Sequence, residues 1–141
     1  METLDANNPK HARADDKLRH EIAAWLTTVT ADGQPQSTPI WFHWDGSTFL
    51  IYSQPDRPKL HNIAGNPMVS LHLVGDPDGE DVITVEGIAG LDPSAPPLDA
   101  VSPYVEKYRS AIEGFGWTPS SMAADYAVAV RVRPTRFRVL S

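Results

Sequence analysis

The chain has 141 residues, of which 41% are hydrophobic and 21% charged, and this composition predicts one ordinary globular domain with a real core. It contains no cysteine, which excludes disulfides, thiolate metal sites and cysteine nucleophiles, and its formal net charge of −6 disfavours general nucleic-acid binding, which needs a basic surface. The N-terminus lacks the apolar segment of a signal peptide and no apolar run reaches membrane-spanning length, so we expect a cytoplasmic protein without a membrane partner.

The first residues, 1–14, are polar and show no hydrophobic periodicity. They are predicted to form a flexible arm before a single domain that covers residues 15–141. Asp15 or Asp16 can cap a helix, because Leu18, Ile22 and Ala23 after them have the spacing of one helix face.

Aromatic and β-branched residues then predict three antiparallel strands. These strands are expected over residues 24–30, 37–43 and 48–52. They are joined at Asp32-Gly33 and Asp45-Gly46, and this dipeptide is the strongest short-range indication of a hairpin. Pro39 lies inside the second strand and cannot donate to a ladder, so that strand is expected to be an edge, to carry a bulge or to open there.

A short helix with two cations at its start follows the third strand. The residue before a proline avoids helical angles, so Arg57 is expected at the entrance and Pro58 at the first helical position. Gly65 and the following Asn66-Pro67 end the helix. Free amides and partial positive charge at the helix N-terminus, together with Arg57 and Lys59, indicate a candidate anion site.

The rest of the chain alternates strand and helix patterns. Further strands are expected over residues 68–74, 81–89, 127–132 and 136–140, and helices over 98–112 and from 118 onward. Pro134 is expected to separate the last two strands. Antiparallel hairpins interrupted by a few helices predict an α+β protein built on a small closed or half-closed β-barrel.

Several short motifs follow one another along the chain. They are Trp25-Leu26-Thr27-Thr28, Asp32-Gly33, Pro39-Ile40-Trp41-Phe42, Tyr52-Ser53, Lys59, Asn62-Ile63, Asn66-Pro67 and Val69-Ser70-Leu71. Together they resemble the pyridoxamine 5′-phosphate oxidase-like split-barrel family, and most of all its actinobacterial branch that uses the deazaflavin coenzyme F420. The resemblance runs from about Trp25 to the end of the chain and is strongest up to Leu73. It implies a mainly antiparallel split β-barrel of the FMN-binding type with short peripheral helices, and a homodimer that binds F420 or FMN across its interface.

The same resemblance implies which positions contact the coenzyme. The polar strand end and the basic helix start correspond to the phosphate site, and the second strand corresponds to the one whose main chain faces the coenzyme ring. The implied contact residues are Thr38, Pro39, Ile40, Trp41, Ser53, Arg57, Lys59 and Asn62. Charge-assisted hydrogen bonds from Arg57 and Lys59 suit a phosphate.

Each of these residues also has a purely structural interpretation. Arg57 and Lys59 can be solvated surface cations, although the flanking pattern favours a ligand, more strongly for Lys59. Ser53 can simply end its strand, and Asn62 can cross-link backbone. Trp117 is expected to belong to a satellite hydrophobic cluster rather than to close a substrate pocket.

A group of arginines near the C-terminus has two interpretations. Arg131 and Arg133 share a strand face, as do Arg136 and Arg138 further on. We favour a solvated outer face of the barrel. The alternative is a basic track for the acidic polyglutamate tail of F420 or for an anionic substrate.

Three functions stay open. They are an F420-dependent reductase that transfers hydride to a small unsaturated organic acceptor, an FMN-dependent oxidase or reductase, and a non-catalytic F420-binding protein. We favour the first. Histidine spacing predicts no metal site, and hydrolase, Rossmann and P-loop motifs are absent from the sequence. Four tyrosines are equivalent candidates for a proton donor, so the sequence selects no catalytic residue: Tyr52, Tyr104, Tyr108 and Tyr126.

Overall fold

The computed structural model describes residues 4–79 and 82–140. The start of the expected N-terminal arm, residues 1–3, and the expected first residue of the fifth strand, Asp81, lie outside the described residues. The helices are α1 (Pro9–His20), α2 (Pro58–Gly65), α3 (Ser102–Gly114) and α4 (Pro119–Asp125), with a single 3-10 turn at Leu98–Ala100. The strands are β1 (Ala24–Val29), β2 (Pro35–Ile40), β3 (His43–Trp44), β4 (Phe49–Ser53), β5 (Met68–Leu73), β6 (Val82–Leu91) and β7 (Val128–Leu140).

The seven strands form one antiparallel sheet in the order β2-β1-β5-β6-β7-β4-β3. The sheet curls into a half-barrel with the helices at its periphery, which confirms the predicted α+β split-barrel fold. Among residues 4–79 and 82–140, no helix is both long and apolar enough to cross a membrane.

Two hydrophobic clusters stabilise this architecture. The larger one fills the curl of the sheet and includes Leu26, Phe42, Ile51, Val85 and Val132, all at most 2% exposed. The smaller one joins the other face of β4 to α3 and α4, and its members are Leu50, Tyr52, Leu98, Tyr104, Tyr108, Ile112 and Met122. The second cluster therefore attaches the C-terminal helices to the sheet.

The first helix begins at Pro9, well before the expected start at Asp15 or Asp16, so the prediction of an unstructured segment up to residue 14 is wrong for its last part. The side chain of Asn8 caps the helix by accepting a backbone N–H, and a proline suits the first helical position. Asp15 is not a cap: its Oδ1 accepts a hydrogen bond from Nε1 of Trp44 at 2.8 Å.

The second predicted strand is divided in the structure. β2 ends at Ile40, and His43 belongs to β3, which pairs with β4 at the opposite end of the sheet order. Pro39 lies on the edge strand β2, as one of the expected arrangements required. Trp41 and Phe42 lie in the break between the two strands.

The last strand, β7, is continuous through Pro134, so the expected break there is wrong. A register shift replaces it: Glu86 faces Arg136 while Gly87 faces Pro134, which leaves Thr135 as an extra, bulged residue. A bulge tolerates a residue that cannot donate to the ladder.

We predict that Gly87→Ala lowers the free energy of unfolding by about 1–3 kcal/mol, because the added Cβ would lie 2.8 Å from the carbonyl oxygen of Arg133 and 2.8 Å from Cγ1 of Val132. Gly90→Ala on the same strand is the matched control, since its Cβ would meet no heavy atom within 4 Å. Urea unfolding of both variants measures the difference. Equal stabilities would contradict the close approach of β7 at Gly87.

Candidate functional site

The break between β2 and β3 is held open by α3. The backbone N–H of Phe42 donates to the hydroxyl oxygen of Tyr108 at 2.9 Å, and that hydroxyl donates to the carbonyl of Ile22, just beyond α1, at 2.6 Å. The ammonium of Lys107 donates to the carbonyls of Phe42 at 3.1 Å and Leu18 at 3.4 Å. Backbone groups that lost their ladder partners are therefore satisfied by two neighbouring side chains of one helix.

A cleft of about 300 Å³, which we name the aromatic cleft, opens beside this break. Its aromatic walls are Trp41, Tyr52, Tyr104, Phe115, Trp117 and Tyr126. Trp41 stacks on Tyr108 with ring centroids 4.5 Å apart, and Phe115 lies 4.9 Å from Trp117. The walls thus come from the strand break, from β4, from α3 and from the residues on either side of α4.

A second cleft of about 500 Å³, which we name the polar cleft, lies between β2 and the start of α2. Its polar lining consists of Thr28, Gln36, Ser37, Thr38, Arg57 and Lys59. The amide of Asn62 donates to Oγ1 of Thr28 at 2.9 Å and to Oε1 of Gln36 at 2.9 Å, and so fixes two of these side chains from α2. Cations, hydroxyls and amides in this arrangement can bind an anion with several oxygens.

Lys59 lines both clefts, and β2 forms a wall of each, with Thr38 on the polar side and Pro39 on the aromatic side. Burial lowers the pKa of Lys59, and the charge of Arg57 lowers it further. A half-buried ammonium next to another cation gains most from an anionic partner. The junction of the two clefts is therefore suited to a ligand that has both an anionic group and a flat apolar part.

The turn before α2 sets the position of these cations. Asp56 has a φ of 59°, a left-handed conformation that aspartate tolerates better than most residues. The next residue, Arg57, is extended and becomes the N-cap residue of α2, and its guanidinium donates to the side-chain oxygen of Gln54. Arg57 is exposed, whereas Lys59 is only partly exposed.

The structure brings six of the eight implied contact residues to the walls of these clefts. They are Thr38, Pro39, Ile40, Trp41, Arg57 and Lys59. Asn62 supports the polar cleft through the side chains that it binds. Ser53 lines neither cleft: it is 1% exposed, and its hydroxyl donates to the carbonyl of Gln54 at 2.8 Å, which fits the strand-ending interpretation.

The aromatic cleft contains residues to which the sequence analysis gave no role in binding the coenzyme. Trp117, which was expected in a satellite cluster, lines the cleft together with Phe115, Met122 and Tyr126. Tyr104 and Tyr108, which share one face of α3 at a spacing of four residues, both belong to this region: Tyr104 lines the cleft and Tyr108 stacks on Trp41. Phe115, Trp117 and Met122 carried no comparable signal.

The arginines of β7 lie outside both clefts. Since Thr135 is bulged, Arg131, Arg133, Arg136 and Arg138 all lie on the outer side of the strand. Nε of Arg131 donates to Asp92 at 2.9 Å, and Nε of Arg138 donates to Glu86 at 3.4 Å. Within the described part of the chain, no group of three or more His, Cys, Asp or Glu residues could hold a metal ion.

Comparison with known proteins identifies relatives. The sequence profile of the pyridoxamine 5′-phosphate oxidase family matches residues 11–141. A pyridoxine/pyridoxamine 5′-phosphate oxidase from Aeromonas hydrophila is 39% identical over 56 residues, which are 39% of this chain and only 26% of that protein. This match therefore spans about a quarter of the relative's length.

Solved structures extend the comparison to the whole fold. An F420 reductase is 29% identical, with a TM-score of 0.67 over 88% of this chain and 94% of that one. A conserved hypothetical protein from Mycobacterium tuberculosis has a TM-score of 0.71 over 92% of this chain and 83% of its own, at 22% identity, a likeness that shows the fold alone.

We predict that Tyr108→Phe lowers the free energy of unfolding by about 1–3 kcal/mol, because the buried N–H of Phe42 loses its only acceptor within the described residues. Tyr126→Phe is the control, since its hydroxyl bonds to no other described group, and it should change stability by less than about 0.5 kcal/mol. Urea unfolding at pH 7 compares the two. A Tyr108→Phe variant as stable as Tyr126→Phe would rule out this role of the phenol.

The pH dependence of the free energy of unfolding should reveal the lowered pKa of Lys107. Burial lowers its pKa from 10.5 to about 8. Between these values the unfolded chain binds the proton more fully than the folded one, so the free energy of unfolding should rise as the pH increases from about 8 to about 10.5. We therefore expect the stability difference between wild type and Lys107→Met to move in favour of wild type over this range. A difference that is constant with pH would contradict the desolvation of Lys107.

Proposed function

The chain belongs to the pyridoxamine 5′-phosphate oxidase family of flavin-binding oxidoreductases, and we propose that it is a reductase that uses reduced F420 to reduce a small unsaturated organic compound. The observation that carries the proposal is the junction at Lys59, where a cationic polar cleft continues into an aromatic one. The 29% identity to an F420 reductase over 88% of the chain supports F420 as the coenzyme.

The residues of the two clefts fit such a coenzyme by their chemistry. Lys59 and Arg57 supply positive charge, and the hydroxyls of Ser37 and Thr38 supply neutral donors, which together suit a phosphate group. The aromatic cleft beyond Lys59 offers flat apolar walls, which suit a conjugated ring system. When bound, the reduced deazaflavin supplies the hydride.

The protein's own part in the reaction is binding and orientation. Lys59 and Arg57 hold the phosphate through charge-assisted hydrogen bonds, while Asn62 keeps Thr28 and Gln36 in place beside it. Because β2 is an edge strand, main-chain groups on its free side are available to a ring lying along residues 38–41. The aromatic walls exclude water from the space next to that ring.

Two further expectations belong to the same proposal. We propose that the protein forms a homodimer with the coenzyme site at its interface and that it is located in the cytoplasm. Ile22 and Trp25, which lie within two residues of Ala23 of the aromatic cleft, are 45% and 37% exposed, and this supports an apolar contact surface at that edge.

FMN is the second candidate coenzyme, favoured by the 39% identity over 56 residues to a pyridoxine/pyridoxamine 5′-phosphate oxidase. The same phosphate site would serve it, since the family fold binds flavins. The two candidates differ in which coenzyme the purified protein selects.

We predict that the purified protein binds F420 and has much weaker affinity for FMN, in parallel titrations that follow ligand fluorescence. Lys59→Ala should weaken F420 binding by about 1–3 kcal/mol, because a partly buried charge-assisted contact is lost. Lys10→Ala, which removes an exposed cation of α1 outside both clefts, is the control and should leave the affinity unchanged.

The outcomes separate the candidates. Preference for FMN would replace F420 in the proposal, and F420 binding without turnover on any compound tested would indicate a non-catalytic binding protein. Equal affinities of the Lys59→Ala and Lys10→Ala variants would refute the placement of the phosphate in the polar cleft.

A further inference from the structure

A third cleft, of about 420 Å³, shares the ring of Tyr52 with the aromatic cleft and has no other lining residue in common with it. We name it the proline cleft. One side is formed by residues 127–129, around the start of β7. The other side is formed by the end of β6 and the loop after it, through Leu91, Asp92, Pro93, Ala95, Pro96 and Pro97. Its walls are therefore mostly aliphatic.

The loop 92–97 has hydrogen-bond acceptors left for a ligand, but its backbone N–H groups are all used. Its three prolines carry no N–H. The N–H of Asp92 donates to the carbonyl of Ala129 at 2.9 Å, and that of Ala95 donates to the carbonyl of Asp92 at 3.1 Å. The N–H of Ser94 donates to the carboxylate of Asp92 at 3.2 Å. A ligand at this loop therefore gains more from donating hydrogen bonds than from accepting them.

Asp92 is the only charged residue among those that line the proline cleft. Its Oδ1 accepts hydrogen bonds from the backbone N–H and the hydroxyl of Ser94, and its Oδ2 accepts one from Nε of Arg131 at 2.9 Å. The bonds from Ser94 and then from Arg131 lower the pKa of Asp92, so the group is ionised at neutral pH. Because a carboxylate has about four acceptor positions, Oδ2 can still accept a further hydrogen bond.

Arg131 does not neutralise Asp92 completely, because its guanidinium is shared. Nη1 of Arg131 lies 3.7 Å from Oδ2 of Asp45, so one positive charge faces two carboxylates. The net charge of the chain, −6, also favours the approach of a positively charged ligand. The proline cleft therefore combines aliphatic walls with one carboxylate that keeps part of its charge.

We propose that the proline cleft binds a small organic ammonium compound with an apolar body, whose N–H groups donate to Asp92. The carboxylate attracts the positive charge and accepts a charge-assisted hydrogen bond. The prolines, the alanines and Leu91, which is 60% exposed, bury the apolar body. A ligand with only acceptor atoms would gain nothing from the loop and would be repelled by the carboxylate.

The site is formed before the ligand arrives and does not compete with the proposed coenzyme. The hydroxyl of Tyr52 donates to the carbonyl of Pro96 at 2.6 Å and so fixes the loop against β4. A volume of about 420 Å³ lies within the range for small-molecule pockets, roughly 300–1,000 Å³, and suits one ring with a short chain. Since Tyr52 is the only lining residue that the two clefts share, both can be occupied at the same time.

The test titrates the whole chain with phenethylamine, which is protonated at neutral pH, and follows the ¹⁵N–¹H NMR spectrum. We expect the largest shifts at the backbone amides of Asp92, Ala95 and Ala129. Hydrocinnamate has the same phenylethyl body with a carboxylate in place of the ammonium. It should bind at least about tenfold more weakly than phenethylamine, because its charge has the same sign as that of Asp92.

The variant Asp92→Asn tests the carboxylate itself. It should bind phenethylamine about fivefold more weakly than wild type, because a partly exposed ion pair is lost. Asp32→Asn is the matched control, since Asp32 is exposed in the turn between β1 and β2 and does not line the cleft. Asn-Gly suits this turn as well as Asp-Gly does. The control should bind phenethylamine with unchanged affinity.

Equal affinity of wild type for phenethylamine and hydrocinnamate would overturn the inference. This comparison needs no variant, so it decides the matter even if Asp92→Asn does not fold. Equal affinity of Asp92→Asn and Asp32→Asn for phenethylamine would also overturn it. So would the absence of binding by wild type, or shifts centred on the indole N–H signals of Trp41 and Trp117, which would place the amine in the aromatic cleft instead.

Discussion

The backbone of Phe42 is the point on which the rest of the structure depends. β2 ends at Ile40, and β3 pairs with β4 at the other end of the sheet. The backbone N–H and C=O of Phe42 therefore have no partner in a strand, and burying them unpaired would lower the stability of the fold. Tyr108 and Lys107 satisfy them from α3. The same hydrogen bonds attach α3 to the sheet. The aromatic cleft lies between α3 and the break in the strand, so its walls depend on that break.

The two clefts share one charged residue, Lys59. The chain carries a net charge of −6, yet Lys59 is partly buried beside Arg57 and its pKa is lowered by burial. A fold that keeps a desolvated cation next to another cation gives up stability there, which is typical of binding sites. A ligand anion would restore the lost interactions. The aromatic walls beyond Lys59 would then orient whatever is joined to that anion.

Local patterns were enough for the hairpins and for α2. Gly33 and Gly46 have φ of 85° and 95°, as D-G turns require, and α2 begins at Pro58 and ends at Gly65 as predicted. Contacts between distant parts of the chain were not predictable in this way. The phenol that binds Phe42 lies 66 residues away, and a pairing across that distance leaves no signal in local propensities or turn residues. For the same reason Trp117 was assigned to a satellite cluster.

A crystal structure of the protein with F420 bound would test the account most directly, because it tests both clefts at once. The account predicts the coenzyme phosphate within hydrogen-bonding distance of Lys59 and the deazaflavin ring along residues 38–41, at the end of β2 and the start of the break that follows it. A phosphate bound away from Lys59, for example at the outer arginines of β7, would contradict it.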